Sequence, residues 1–141
     1  MAMSTQTTLT VTAQVLQQIG EHAISCYPEE ACGLLVGRSA TSEVVEFHPC
    51  ENITHSAKVY TINPKQHLMI ERNAEDAGFD VVGVVHSHTH TEAYPSSTDV
   101  AQAPDPGWHY MIVTLKRGVP EPRNFRIIDG VISEAEIIQH N

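Results

Sequence analysis

The stretch Val81-Val-Gly-Val-Val-His-Ser-His-Thr-His90 decides how the rest of the chain is interpreted. Its first half, from Val81 to Val85, is a β-branched run interrupted only by Gly83, which predicts a central strand buried on both faces. This strand runs directly into histidines. Because side chains alternate along a strand, His86 and His88 are expected on the same face, with Cα atoms roughly 6.5 Å apart.

A His-x-His pair at this spacing suits two imidazoles that converge on one cation. Asp99, a carboxylate eleven residues beyond His88, follows a loop that contains Pro95. Three N and O ligands with one open position are typical of a catalytic zinc, whereas a structural zinc is usually closed by four protein ligands. A lone His-x-His pair is more often two surface or hydrogen-bonded histidines. Spacing alone does not decide between His86 with His88 and His88 with His90.

The segment Ser96-Ser-Thr-Asp99 also predicts the start of a helix, with Ser96 as the N-cap and Asp99 three residues further on. The two interpretations are compatible, because a capped helix would fix the position of the Asp99 carboxylate. Cys32 is a further candidate ligand. A solitary cysteine before a glycine, however, is more often a small buried hydrophobic residue.

The composition describes an acidic, folded domain. The chain of 141 residues is long enough for one domain with its own core, and we expect residues 1–141 to form it, with residues 1–8 disordered. The net charge of −9 argues against binding to nucleic acid. Three widely spaced cysteines, an odd number, indicate reduced thiols.

No targeting or membrane segment is visible in the sequence. No apolar run approaches the ~20 residues that span a bilayer, so we expect no membrane association. The N-terminal MAMSTQTT lacks the basic and apolar regions of a signal peptide. We therefore expect a cytoplasmic protein, and the sequence leaves its oligomeric state open.

The remaining pattern predicts a mixed sheet flanked by helices, an α/β or α+β fold. A Thr12 cap and helical spacing predict one helix that ends at Pro28. Asn63-Pro64 predicts the start of a second helix, which stops near Gly78. The predicted strands besides the central one are Leu9–Val11, Ala31–Val36, Val44–Phe47, Val59–Ile62, Tyr110–Leu115 and Phe125–Asp129.

The complete pattern is more specific than its parts. His-x-His, ten residues and then Asp99, with Ser96 three residues before that aspartate, resembles the JAMM (MPN+) metallopeptidase motif. The remaining element of the motif, an upstream glutamate, is matched by Glu30. Many JAMM proteins carry a proline directly after the second histidine, where this chain has Thr89. This departure leaves metal binding intact and weakens only the inference about the following loop.

The resemblance implies a JAMM/MPN-like mixed β-sheet flanked by helices and a bound Zn²⁺ ion. The implied ligands of the ion are His86, His88 and Asp99. Glu30 would accept the proton of the attacking water. Glu29 is the rival for that role, and the alternative interpretation of Glu30 is a solvated carboxylate in a turn. Ser96 resembles the serine that donates a hydrogen bond to the oxyanion. His90 lies outside the motif and is interpreted as a loop or substrate-side residue.

The stretch from His86 to Asp99 looks most like that of the small bacterial Mec-type hydrolases, which remove cysteine from a ubiquitin-like sulfur-carrier protein. This likeness implies cleavage after a C-terminal Gly-Gly tail, in cysteine biosynthesis. The alternatives are trimming of a carrier precursor, isopeptide deconjugation of a ubiquitin-like protein, and a non-catalytic MPN scaffold. An extended tail can pair with an exposed strand edge, and by analogy we expect Val59–Ile62 to provide it. The residue removed after Gly-Gly and the pathway served stay open.

Overall fold

The computed structural model describes residues 8–103 and 105–141. Its helices and strands, in chain order, are β1 (Thr8–Thr12), α1 (Ala13–Cys26), β2 (Cys32–Arg38), β3 (Glu43–Cys50), α2 (Pro64–Asp76), β4 (Asp80–His88), α3 (Ser97–Ala101), β5 (His109–Thr114), β6 (Glu121–Ile128), β7 (Val131–Glu134) and β8 (Glu136–His140). The disorder expected for residues 1–8 falls largely on residues 1–7, which lie outside the described residues. Thr8 is instead the first residue of β1.

The strands of the described chain form one mixed sheet in the order β7-β6-β5-β4-β2-β3-β1-β8. The central strand β4 pairs antiparallel with β2 and parallel with β5, so ladder hydrogen bonds hold it from both sides. Every residue from Val82 to His88 in this strand is buried. The prediction of a central strand buried on both faces is therefore confirmed, as is the mixed α/β (α+β) architecture.

The two long helices cover opposite faces of the sheet. Val15 and Ile19 of α1 pack into one hydrophobic cluster together with Leu35 of β2. The neighbouring Leu34 points to the other face, into a second cluster against which Ile70 of α2 packs. This alternation follows from the pleat of the strand. Among the described residues, no helix is long and apolar enough to cross a membrane.

The predicted helix boundaries are confirmed by their caps. The Thr12 hydroxyl accepts a hydrogen bond from the Val15 N–H at 3.2 Å and begins α1. The Asn63 side chain caps α2, and Pro64 occupies the first helical position. Gly78, with a φ of 83°, follows the end of α2 in the left-handed region that glycine tolerates.

Two strands, β7 and β8, were not predicted. Both are short and largely exposed, so they lack a clear burial pattern. β8 pairs in parallel with β1 at the opposite end of the chain, with Leu9 opposite Ile137. Such a long-range pairing leaves no local signal in the sequence.

The prediction of a strand over Val59–Ile62 is wrong. The only pairing described there is an isolated bridge between Asn52 and Ile62. The Asn52 side chain occupies backbone groups that a ladder would need, because it donates to the Val59 carbonyl at 3.1 Å and accepts from the Thr61 N–H at 3.1 Å. The strand edge expected beside the site for a substrate tail is therefore not formed by this segment.

Candidate metal centre

The end of β4 brings two histidine side chains together. His86 and His88 lie on one face of the strand, and their Nε2 atoms are 3.2 Å apart. Both side chains are buried. Pairing with the neighbouring strands fixes the positions of the two histidines along β4, because His86 lies opposite Cys32 of β2 and His88 lies opposite Thr114 of β5. The expectation that strand alternation places both imidazoles on one face is confirmed.

Asp99 reaches the two histidines from the short helix α3. Its Oδ2 atom lies 3.2 Å from the Nε2 atom of His86 and 3.2 Å from that of His88. The capping box predicted from the sequence holds this oxygen in place. The Ser96 N–H donates to Asp99 Oδ2 at 2.8 Å, while the Ser96 hydroxyl accepts from the Asp99 N–H at 3.1 Å.

The triangle formed by His86 Nε2, His88 Nε2 and Asp99 Oδ2 fits a tetrahedral metal ion. Bonds of about 2.0–2.1 Å to a tetrahedral ion require ligand atoms about 3.3–3.4 Å from one another. The three separations of 3.2 Å come close to that value. Three ligand atoms leave a fourth position open, as in catalytic sites. Among the described residues, these three side chains are the group of histidine, cysteine and acidic residues positioned to hold a metal.

The protonation of the cluster also suits a cation. His88 Nδ1 lies 2.7 Å from the Glu92 carbonyl, to which it donates a hydrogen bond, so a neutral His88 has its lone pair on Nε2. Burial lowers the pKa of His86 and favours its neutral form. Although burial opposes it, hydrogen bonding to the two histidines holds the pKa of Asp99 well below its usual range. A carboxylate and imidazole lone pairs that face one another require a proton or a metal between them, so binding of a metal would displace a proton.

Glu30 precedes Ala31, whose N–H donates to the Ser87 hydroxyl at 2.7 Å and whose carbonyl accepts from the Ser87 N–H at 3.0 Å, so Glu30 enters β2 beside the histidines that flank Ser87. Its side chain is 4% exposed, and its Oε1 atom has no hydrogen-bond partner among the described residues. Burial raises the pKa of Glu30 to about 8, against a lowering effect of His88 and with a further rise from the Asp99 charge. A buried carboxyl with an unpartnered oxygen and a pKa raised by burial is suited to accept and return a proton.

The rival carboxylate has a different environment. The Glu29 side chain is 42% exposed and pairs with His55 at 3.1 Å. The backbone of Glu30, by contrast, is anchored, because its N–H donates to the Ser56 carbonyl at 2.8 Å. Consecutive residues at the entry to β2 thus point in different directions, and only Glu30 faces the cluster.

Three residues near the site were missed by the sequence reasoning. Ser87, between the two histidines, accepts a hydrogen bond from the Ala31 N–H at 2.7 Å and so ties β4 to the residue after Glu30. Its position opposite the histidines in the strand alternation was the available signal. Asn52 donates to the Glu30 carbonyl at 3.0 Å, and the ring of Tyr60 stacks on His86. No sequence pattern pointed to Asn52, and Tyr60 was covered only by the expectation of a strand edge over Val59–Ile62.

The remaining candidates lie outside the cluster. Cys32 is a buried free thiol whose Sγ donates to the Cys50 carbonyl at 3.8 Å, which agrees with its interpretation as a small buried residue. His90 is exposed, with Nε2 3.3 Å from the Tyr27 hydroxyl and Nδ1 2.9 Å from the Thr89 hydroxyl. The structure therefore brings His86 rather than His90 together with His88.

Two histidine nitrogens from the end of β4 and one carboxylate oxygen from α3, with the buried Glu30 carboxyl nearby, form a group that could hold a metal ion in the manner of metal-dependent hydrolases. Residues 12–128 match the family model described as prokaryotic homologs of the JAB domain. The chain belongs to this family, so the resemblance to JAMM proteins is confirmed, and the chain is a hydrolase of the JAMM type.

Three similar proteins illustrate the relationship. The chain is 35% identical over 130 residues to the "CysO-cysteine peptidase" of Mycobacterium tuberculosis, covering 92% of this chain and 89% of that protein. It is 36% identical over 99 residues to the "Desampylase" of Haloferax volcanii, covering 70% of this chain and 71% of that protein. The solution structure of DSY2949 from Desulfitobacterium hafniense superposes with a TM-score of 0.86 at 31% identity, covering 94% and 93% of the two chains.

His90→Ala is expected to retain bound metal and much of the activity, because His90 contacts Tyr27 and Thr89 rather than the three ligand atoms. Metal content and turnover of the purified variant should be measured together, with His86→Ala as the matched comparison that loses metal. A loss of metal in His90→Ala as large as that in His86→Ala would mean that the other histidine pair binds the ion.

Proposed function

We propose that this chain is a zinc-dependent hydrolase that removes the C-terminal amino acid, cysteine, from a ubiquitin-like sulfur-carrier protein ending in Gly-Gly, as a step in cysteine biosynthesis. The observation that carries the proposal is the convergence of His86, His88 and Asp99 at 3.2 Å beside the buried Glu30 carboxyl. The substrate is supported by the similarity to a CysO-cysteine peptidase along 92% of the chain. We also propose a cytoplasmic location, with which the three free thiols of Cys26, Cys32 and Cys50 accord.

Zinc is the metal that the ligand set favours. Imidazole nitrogens combined with one carboxylate and an open position are typical of catalytic zinc, whereas calcium and magnesium prefer oxygen ligands throughout. Zinc held by His86, His88 and Asp99 would supply a water acidic enough to be deprotonated near neutral pH and a Lewis acid for the scissile carbonyl.

Glu30 is proposed to move the proton. In its ionised form the carboxylate accepts the proton of the attacking water, and in its protonated form it returns that proton to the leaving amine. Its burial and its unpaired Oε1 suit both half-reactions, because no neighbouring donor competes for the oxygen. The N–H of Ala31, one residue further on, donates a hydrogen bond to the Ser87 hydroxyl of β4. This hydrogen bond keeps the Glu30 carboxyl beside the two histidines that flank Ser87.

Ser96 is proposed to stabilise the developing oxyanion. Its hydroxyl oxygen accepts the Asp99 N–H, and its hydroxyl hydrogen remains available to donate to a carbonyl oxygen at the exposed mouth of the site. Loss of an oxyanion donor costs about 3 kcal/mol of transition-state stabilisation. Loss of a helix cap costs about 1 kcal/mol of folding free energy. The two roles of Ser96 are therefore separable by measuring both quantities.

A second enzymatic function is favoured by one specific observation. The 36% identity to a protein named "Desampylase" supports isopeptide deconjugation as the alternative reaction. Trimming of a carrier precursor would use the same residues. A non-catalytic MPN scaffold is disfavoured, because a scaffold has no use for a three-ligand cluster with a buried carboxyl beside it.

The substrate proposal is tested with carriers that differ only at their C-termini. The enzyme is incubated with ubiquitin-like carriers ending in Gly-Gly-Cys, Gly-Gly-Ala and Ala-Ala-Cys and with a lysine isopeptide conjugate, and product masses are followed over time. We expect Gly-Gly-Cys to yield free cysteine and a carrier ending in Gly-Gly. Ala-Ala-Cys should be cut slowly, because a side chain beside the scissile carbonyl crowds the approach of the tail to the site.

The other arms of the experiment discriminate among the alternatives. Cleavage of both Gly-Gly tails but not of Ala-Ala-Cys would show that the enzyme recognises the glycines more than the leaving residue. Rapid cleavage of the isopeptide conjugate with Gly-Gly-Cys untouched would replace the sulfur-carrier function by deconjugation.

A further inference from the structure

The two histidines of the candidate metal centre are held in different ways. The Nδ1 atom of His88 lies 2.7 Å from the Glu92 carbonyl. The Nδ1 atom of His86 is buried and has no hydrogen-bond partner among the described residues. In metal sites the ring nitrogen remote from the ion usually donates to a carbonyl or carboxylate, which fixes the orientation of the ring. His86 lacks that restraint, so another contact has to orient its imidazole.

Tyr60 provides such a contact. Its ring is stacked on that of His86, with ring centroids 4.5 Å apart and an interplanar angle of 20°. Stacked aromatic rings at this separation attract one another and resist tilting. The contact joins the faces of the rings, so it restrains the plane of the imidazole without using either of its nitrogens. His86 Nε2 therefore stays directed at His88 and Asp99.

The position of Tyr60 is itself set by Asn52. The buried Asn52 amide donates to the carbonyl of Val59 and accepts from the N–H of Thr61, the two neighbours of Tyr60. It also donates to the Glu30 carbonyl at 3.0 Å and accepts a fourth hydrogen bond from a nearby backbone N–H. Since an asparagine amide offers two donor hydrogens and two acceptor lone pairs, its capacity is fully used. This saturated amide links the segment that carries Tyr60 to the backbone of Glu30.

We propose that Tyr60 is a positioning residue of the metal centre, which orients His86 by stacking in place of a hydrogen bond, and that Asn52 holds Tyr60 in register with Glu30. The inference rests on the metal centre of the proposed function. It requires the aromatic ring of Tyr60 and not its hydroxyl. The segment predicted as an edge strand thereby acquires a role in shaping the site, because its irregular backbone turns the Tyr60 ring onto His86.

The proposal is tested by the zinc affinity of metal-free protein, measured by competition with a chromophoric chelator in the absence of substrate. Tyr60→Phe keeps the stacked ring and is expected to bind zinc within about twofold of the unaltered protein. Tyr60→Leu removes the ring and is expected to bind about tenfold more weakly, as when an outer partner of a ligand is lost. The visible absorption of the Co²⁺-loaded protein, which reports ligand geometry, should be preserved in Tyr60→Phe and altered in Tyr60→Leu.

Ile62→Ala is the matched control. Ile62 lies in the same segment as Tyr60 and packs against the same hydrophobic cluster, but it has no ring to stack on His86. Its thermal unfolding temperature should fall, while its zinc affinity stays within about twofold of the unaltered protein. Equal zinc affinities for Tyr60→Phe and Tyr60→Leu would overturn the positioning role. A loss of zinc affinity in Ile62→Ala as large as that in Tyr60→Leu would also overturn it, because the effect would then come from destabilisation of the segment rather than from the lost ring. Unaltered protein that binds no zinc would instead refute the metal centre itself.

Discussion

Glu30→Gln is expected to lower turnover at least ~100-fold while zinc content stays near one ion per chain. An amide cannot accept the proton of the attacking water, and general-base catalysis typically contributes 10²–10⁴-fold. The fold should be retained, because glutamine has nearly the shape of the glutamate it replaces and Glu30 Oε1 has no hydrogen-bond partner to lose. Turnover on a carrier ending in Gly-Gly-Cys, with zinc content and unfolding temperature of the same preparation, tests this expectation.

Glu29→Gln is the internal control for that experiment. Glu29 is adjacent in the chain and carries the same functional group, but it is 42% exposed and pairs with His55 rather than facing the cluster. Its replacement should change turnover little, since an exposed ion pair of this kind contributes at most about 1 kcal/mol to stability. If Glu29→Gln were the inactive variant and Glu30→Gln the active one, the assignment of the base would be off by one residue.

The double variant His86→Ala, His88→Ala is expected to contain almost no zinc and to have no measurable hydrolase activity. Two of the three ligand atoms are removed, and a single carboxylate oxygen does not retain the ion against buffer. Elemental analysis should find about one zinc per chain in the unaltered protein. Incubation with a chelator should abolish hydrolysis in the same way, and added zinc should restore it.

Removal of the metal is expected to leave the fold mostly intact. The two hydrophobic clusters described above are built mainly from strands of the sheet and the two long helices, and neither of them includes a candidate metal ligand. The far-ultraviolet circular dichroism of chelated protein should therefore resemble that of the loaded protein. A suitable control is the double variant His48→Ala, His55→Ala, which removes two exposed histidines outside the cluster and should keep its zinc. Near-stoichiometric zinc in the His86→Ala, His88→Ala variant would refute the ligand assignment.

The central strand and the two long helices were predictable from local sequence, and the residues that converge were predictable from the family motif. β4 was predictable because a continuous β-branched run is a local property. The helix starts at Thr12 and Asn63 were predictable because a capping side chain acts on backbone groups three residues away or fewer. Strand alternation placed His86 and His88 on one face, and the motif that they share with Asp99 selected the third member of the cluster.

The neighbours that surround these residues depend on contacts between distant parts of the chain. The family motif had already favoured Glu30 over Glu29, and the tertiary structure adds a physical difference between them: Glu30 is buried at the entry to β2, where hydrogen bonds to Ser56 and Ser87 come from distant segments. The segment around Tyr60 has the alternation of a strand, yet Asn52 captures its backbone groups and directs the ring of Tyr60 onto His86. Local pattern records which face a side chain takes along its own strand or helix. It does not indicate which distant side chain will hydrogen-bond to the backbone of that segment. At this site, such long-range hydrogen bonds position the residues around the three candidate ligands.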